Sequence, residues 1–146
     1  MSRSEYRHAS AVIWRGTGIL FVGEPMSGKS TLAAEMISRG AELVGDDQLL
    51  LCEENGKVFA DVPPALAGVL ELRDLALLRV PYVVSTQIHL VVECGKVVAG
   101  HKRYEIFHIA LPAIALDPTH ADSAAKLMLY AEALQEGRVL PVDWKP

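Results

Sequence analysis

Gly18-Ile19-Leu20-Phe21-Val22-Gly23-Glu24-Pro25-Met26-Ser27-Gly28-Lys29-Ser30-Thr31-Leu32 runs from an apolar stretch through G-x-x-x-x-G-K-[ST] into residues repeating at helical spacing. Gly18–Val22 reads as a strand, and Leu32, Ala33, Met36 and Ile37, three and four apart, read as one face of a short helix over Ser30–Arg39 with Gly40 as its C-cap. Strand, glycine loop and helix in that order are the setting in which this motif binds phosphate. Its glycines let the backbone curl until successive N–H groups face one point, and the helix N-terminus adds the positive end of its dipole. A chance glycine turn is the competing reading, and the complete motif with both flanks in place argues against it. Gly23, Glu24, Pro25, Met26, Ser27, Gly28, Lys29, Ser30 and Thr31 are therefore the candidate nucleotide-binding residues. Lys29 would reach the β- and γ-phosphates as a point charge, and the Ser30 hydroxyl would complete the coordination of Mg²⁺, which prefers oxygen ligands. ATP and Mg²⁺ are the cofactors this implies.

Working outward, Ala9–Trp14 reads as a strand joined to the first by Arg15-Gly16-Thr17. Beyond the helix, Glu42–Gly45 returns as a brief strand ending at Asp46-Asp47. That pair should lie at the carboxyl edge of the sheet beside the loop, where open α/β sheets bind ligands. In phosphoryl transfer one carboxylate can accept the proton of an attacking hydroxyl while another holds the metal. An Asp pair capping a turn is the plain alternative, and its place after the motif's helix favours the site. QLLLCEE and KVFA flank Asn55-Gly56, a strong hairpin signal. After Pro63-Pro64, the segments VLEL, ALLRV, QIHLVVE and KVVA are short and β-prone, and Ile106–Leu116 alternates less cleanly around Pro112. Thr119-x-x-Asp122 resembles a capping box before an Ala- and Leu-rich helix over Ala121–Gln135, in which Leu127, Met128 and Leu134 read as core. The expected fold class is α/β: a P-loop nucleotide-binding core with a β-rich middle and a C-terminal helix. One domain over 7–141 is expected, with tails at about Met1–Tyr6 and Val142–Pro146.

The 146 residues, 51% hydrophobic and 22% charged, have the mix of one globular domain with a real core. No apolar run approaches the roughly 18–20 residues that cross a bilayer, and the polar start lacks the apolar centre of a secretory signal, so no membrane partner and a cytoplasmic location are expected. Fourteen Lys and Arg against eighteen Asp and Glu, with no basic block, weigh against nucleic acid as a partner. Cys52 and Cys94 sit in strand-like runs without a CxxC pair and read as reduced core residues.

His8, before the first strand, has by itself the profile of a structural histidine. Glu71 and Arg73, two apart on an expected strand, would share a face, either serving metal and phosphate or forming a surface ion pair. His89, His101, His108 and His120 show no metal spacing and read as structural.

These residues together resemble the catalytic domain of HPr kinase/phosphorylase, the family that phosphorylates a serine of the phosphotransferase carrier HPr. In that family a histidine opens the first strand, a P-loop follows, the helix ends in Arg-Gly and a strand closes on Asp-Asp. Here these stand as His8, GEPMSGKS, Arg39-Gly40 and LVGDD at matching separations. The next family signature, E-[IV]-R-G-L-G-I-[ILV]-[DN]-V, stands here as ELRDLALLRV over 71–80, which keeps the acid and the arginine but neither glycine. The resemblance implies an HPr kinase/PEP carboxykinase-like fold and Ser30 and Glu71 as Mg²⁺ ligands. It assigns catalytic roles to His8, Lys29, the Asp46–Asp47 pair with Asp47 as the preferred acid/base, and, across gaps, Arg103. It also implies HPr or an HPr-like carrier as partner and a homo-oligomer, a hexamer in the family, with subunit contacts at exposed apolar residues of the β-rich middle.

Full-length members carry a further N-terminal domain, so the chain reads as a short form. Where the family has P-V-R-P-G-R-N, tied to dephosphorylation, this chain has Ala115-Leu116-Asp117-Pro118-Thr119-His120-Ala121-Asp122, without either arginine. Attack of inorganic phosphate on phosphoserine would lose charge neutralisation there. The expectation is an ATP- and Mg²⁺-dependent protein-serine kinase, without support for the phosphorylase half. The alternatives are a catalytically weakened ATP-binding regulatory protein and a P-loop kinase of another acceptor.

Overall fold

The computed structural model describes residues 3–95 and 102–146. His101 and the expected strand at 96–99 lie outside them.

β1 (Arg3–Arg7) leads through His8-Ala9 into β2 (Ser10–Trp14) and β3 (Thr17–Val22). Arg15 and Gly16 both carry positive φ, 46° and 81°, which makes a two-residue turn whose twist matches the paired strands. Residues 3–6, expected as a tail, instead form most of β1, which pairs antiparallel with β5 (Leu49–Glu54). This edge strand is exposed along its length, so its sequence lacks the apolar alternation that would betray it, and its backbone pairing holds it.

α1 (Lys29–Ser38) follows the glycine loop, and β4 (Glu42–Gly45) follows α1. Arg39 is the C-cap and Gly40, at φ 106°, the residue after it; Gly40 N–H donates to Ile37 O and Ala41 N–H to Met36 O, which satisfies carbonyls the helix end would orphan. β5 and β6 (Lys57–Asp61) form the hairpin expected at Asn55-Gly56, with φ of 52° and 75°. A 3₁₀ turn at Pro64–Leu66 precedes the hairpin of β7 (Val69–Leu72) and β8 (Ala76–Arg79). Arg73 falls in the turn of that hairpin and not on the strand with Glu71, so the expected shared strand face does not form. QIHLVVE splits into β9 (Thr86–Gln87) and β10 (Leu90–Cys94), which join different sheets.

The segment around Pro112 divides into β11 (Lys102–Ile106) and β12 (Ile109–Leu116), turning at Phe107-His108. Pro112 stands one residue before the β10 ladder begins at Ala113, so its missing N–H interrupts no bond to β10. α2 (Ser123–Gln135) is the C-terminal helix. The Thr119 capping box does not form: Asp122 is the N-cap, and the Thr119 hydroxyl and amide both donate to Asp117 Oδ1, at 2.6 and 2.9 Å. The nearer carboxylate takes the threonine before the helix end can.

The strands make a six-stranded sheet, β11-β12-β10-β3-β2-β4, a four-stranded sheet, β1-β5-β6-β9, and the β7–β8 pair. β3 is buried on both faces and alternates between two cores. Ile19 and Phe21 face α1 and α2, against Leu32, Met36, Leu127 and Ala131. Leu20 and Val22 face the four-stranded sheet, against Leu49, Leu51, Val58 and Ala60. The layers are helices, central sheet, second sheet. Their use is positional: β3, β10 and β12 run parallel, and β4, antiparallel to β2 as β3 is, runs the same way. Their carboxyl ends therefore meet at one sheet edge, and the loop after β3 lies on it.

Candidate active site

The loop between β3 and α1 is shaped by its glycines. Gly23 has φ 150°, and a Cβ there would stand 2.6 Å from Ser27 Oγ and 2.8 Å from Cys94 O. Gly28 has φ 96°, and a Cβ there would stand 2.7 Å from Pro118 Cβ. The loop is thus walled by the ends of β10 and β12. Lys29, nine-tenths buried, folds its ammonium back onto Gly23 O at 2.8 Å and Glu24 O at 2.9 Å. Ser27 Oγ is buried without a hydrogen-bond partner among the described residues, a polar atom inside the loop that a ligand's oxygen would satisfy.

The Asp pair divides. Asp46, 8% exposed, accepts from Ser10 Oγ and Ser30 Oγ at Oδ1, both at 2.7 Å, and from the Glu71 amide at Oδ2, at 3.2 Å. Asp47 turns the other way: its carboxylate is 80% exposed and stands 3.7 Å from His8 Nδ1, itself exposed. Asp47 has φ 69°, and Gln48 N–H donates to Asp46 O at 2.8 Å, closing a tight turn centred on Asp47. A non-glycine residue in that region costs on the order of 1–3 kcal/mol, so its surroundings must hold it there.

Glu71 meets the site through its backbone, while its side chain is exposed. Arg73, at the tip of the β7–β8 hairpin, donates to Met26 Sδ at 2.8 Å and so lies against the loop. The structure does not bring Arg103 there. It sits on β11 opposite Pro112, three strands from β3 or about 14 Å at ordinary strand spacing, with its charge beside Tyr130 of α2. Cys94, at the end of β10, has its thiol pushed up to about 12 by burial, against the opposing pull of the Lys29 charge. Asp117, at the end of β12, is held below the usual carboxylate range by the hydrogen bonds from Thr119.

His8, Lys29, Ser30, Asp46 and Asp47 are therefore gathered at one sheet edge with the glycine loop. Ser10, absent from the residues picked out by motif, is fully buried between the two aspartates. Its only signal in the sequence is a serine on a strand face otherwise carrying Val12 and Trp14. Hydroxyl and carboxylate oxygens at Ser30 and Asp46 are the hard donors Mg²⁺ takes, and the unpartnered Ser27 hydroxyl inside the loop is a group a phosphate oxygen would satisfy, so the residues fit both groups. Among the described residues no group of three or more His, Cys, Asp or Glu forms a metal cluster, and no helix is long and apolar enough to cross a membrane.

Comparison with known proteins gives the same direction. The chain is 42% identical over 74 residues to HPr kinase/phosphorylase of Clostridium tetani, covering 51% of this chain and 24% of that protein. It is 29% identical over 100 residues to HPr kinase/phosphorylase of Malacoplasma penetrans, covering 64% and 33%. The alignments thus span a quarter to a third of these curated relatives. In structure it is similar to the HPr(Ser) kinase/phosphatase from Coxiella burnetii, with TM-score 0.76 and 22% identity over 91% of this chain and 99% of that one, a likeness of fold. The family model for the HPr Serine kinase C-terminal domain matches residues 1–111, and the chain belongs to that family.

Proposed function

We propose that this chain is an ATP- and Mg²⁺-dependent protein-serine kinase whose acceptor is HPr or an HPr-like carrier. The observation that carries the reading is the 2.7 Å contact between Ser30 Oγ and Asp46 Oδ1 beside the glycine loop. It joins the motif serine to an acid at the end of a neighbouring strand, the pairing that Mg²⁺-nucleotide sites of this loop class need.

The loop amides and the N-terminus of α1 would bind the phosphates, with Lys29 released from Gly23 O and Glu24 O to meet them. Ser30 and Asp46 would hold Mg²⁺, with Glu71 adjoining; bound there, the ion neutralises charge on the transferring phosphoryl oxygens. Asp46 already accepts three hydrogen bonds, which makes it an anchor. Asp47, exposed and hydrogen-bonded through its backbone, is the residue suited to take the proton of the attacking serine hydroxyl, with His8 able to share it. Arg73, against Met26, is the cation suited to the phosphoryl group in place of Arg103. A carboxylate at Asp117 on the same edge repels free phosphate, which supports a kinase without the phosphorylase half. The domain over 7–141, the homo-oligomer and the cytoplasmic setting belong to this same reading.

The test is transfer of labelled γ-phosphate from ATP to HPr of the same organism, with a carrier lacking its acceptor serine as control. Serine-dependent label, lost in Asp47→Asn while nucleotide binding persists, is the expected result. Transfer surviving Asp47→Asn sinks the assignment of the base. Nucleotide binding without transfer in the parent protein turns the reading to an ATP-binding regulator.

A further inference from the structure

Ser10 is the one fully buried hydroxyl that touches both members of the Asp pair. It lies at the first position of β2, on the face it shares with Val12 and Trp14, which α1 and α2 cover. Its hydroxyl donates to Asp46 Oδ1 at 2.7 Å, and the Asp47 N–H points back to Ser10 Oγ at 3.4 Å. The next residue upstream completes the clamp, because Ala9 N–H donates to Asp47 O at 3.2 Å. These bonds fall on the residue whose backbone is left-handed, φ 69°. They are what the surroundings offer to offset that strain.

We propose that Ser10 is a positioning residue of this site: it fixes the Asp46 carboxylate on Ser30 and holds the Asp47 turn that points the second carboxylate outward. The proposal rests on the kinase reading for its effect on activity. The hydroxyl works in both directions at once. As donor it fills one lone pair of Asp46 Oδ1 and leaves the carboxylate one orientation, with Oδ2 on the Glu71 amide. As acceptor it takes the Asp47 N–H and so ties the turn to β2. An alanine there keeps the strand and its packing but removes one of the three hydrogen bonds that orient Asp46 toward Ser30. A partner one step removed from a metal ligand commonly changes affinity or activity by about 10–100-fold when lost.

The experiment compares Ser10→Ala, Ser10→Thr and Val12→Ala with the parent. Val12→Ala loosens the same face of the same strand without touching either aspartate. Four quantities are read: Mg²⁺ affinity in the presence of ADP by calorimetry, kcat and the apparent KM for ATP on the carrier, thermal midpoint, and amide hydrogen exchange at Asp47 and Glu71. Ser10→Ala is expected to weaken Mg²⁺ binding and kcat at least about tenfold with the KM for ATP within about threefold, and to speed exchange at both amides. Ser10→Thr, which keeps the hydroxyl, is expected to recover most of that loss. Val12→Ala is expected to lower the thermal midpoint and leave Mg²⁺ affinity near the parent's.

Ser10→Ala with parental Mg²⁺ affinity and parental exchange at Asp47 overturns the proposal, as does an equal loss of Mg²⁺ affinity in Val12→Ala. If the parent transfers no phosphate, the kinase reading fails by itself. Exchange at the two amides then still decides Ser10: faster exchange in Ser10→Ala upholds the clamp, and unchanged exchange removes it.

Discussion

Asp46 Oδ1 accepts the Ser30 hydroxyl at 2.7 Å, joining the first turn of α1 to the end of β4. The two groups share one contact beside the glycine loop, so they act as a unit there and their substitutions should not add. Ser30→Ala and Asp46→Asn are each expected to weaken Mg²⁺-dependent nucleotide binding about 10–100-fold, and the double variant by no more than about threefold beyond the worse single. Calorimetry on the four proteins completes the cycle; simple addition of the two effects would show that they work apart.

Gly18 leaves no room for a side chain. A Cβ there would stand 1.9 Å from Gln87 O, and the clash is with backbone, which has little freedom to move. Gly18→Ala is expected to cost about 2–4 kcal/mol or to prevent folding. Gly56, at φ 75° with nothing near its Cβ position, should cost only about 1 kcal/mol as alanine, from backbone strain without a clash. Urea unfolding of the two variants separates the causes.

His89 ties β10 to β3: its ring Nδ1 accepts the Gly18 N–H at 3.0 Å while its backbone N–H donates to Gly18 O at 2.8 Å. Burial, aided by the charge of Lys57, lowers its pKa from the ordinary 6.5. The neutral ring is thus the folded form, and a protonated Nδ1 could no longer accept. Its contribution is complete above pH 6.5 and is lost as pH falls toward the lowered folded-state value. His89→Asn, which offers an acceptor without a titrating ring, is expected to flatten the fall in thermal midpoint between about pH 7 and 5.

The two thiols should be quiet. Cys94, pushed up to about 12 by burial, carries almost no thiolate at neutral pH, and Cys52 is shifted the same way by burial and by Glu54 and Asp61. In a disulfide-exchange assay at pH 8 the folded protein is expected to react slowly, Cys94 more slowly than the half-buried Cys52, and both rapidly in denaturant. Fast labelling of Cys94 in the folded protein would mean that the end of β10 opens beside Lys29.

The β7–β8 hairpin exposes Leu77 at 69% and Leu75 at 78%, an apolar strip that a single copy leaves in water. If the chain assembles as its family resemblance implies, Leu77→Asp should lower the mass seen by light scattering while leaving the thermal midpoint within a few degrees. A parent that is monomeric at working concentration counts against the oligomer.

Much of this was legible because it is local. The glycine loop, its flanking strand and helix, the Asn55-Gly56 hairpin and the return strand ending at Asp46 each depend on residues within one or two turns of chain, and each stands where the sequence reading expects it. The Ala- and Leu-rich helix expected over Ala121–Gln135 forms over Ser123–Gln135, though the carboxylate of Asp117 displaced the expected cap.

What the sequence by itself determined is the phosphate-loop motif, the order of strand, loop, helix and strand, and a set of acids and cations to choose among. Tertiary structure decided how they are divided. Asp46 and Asp47 are adjacent in sequence and opposite in placement because Ser10, 36 residues from Asp46, takes one carboxylate and a left-handed turn sends the other to solvent. Arg73 reaches Met26, and Arg103 lies three strands away, because strand order is set by which faces bury together. β1 became a strand through the free edge of β5, not through any pattern of its own. Periodicity records which side of an element is buried, whereas hydrogen bonds between distant residues exist only once the layers have packed.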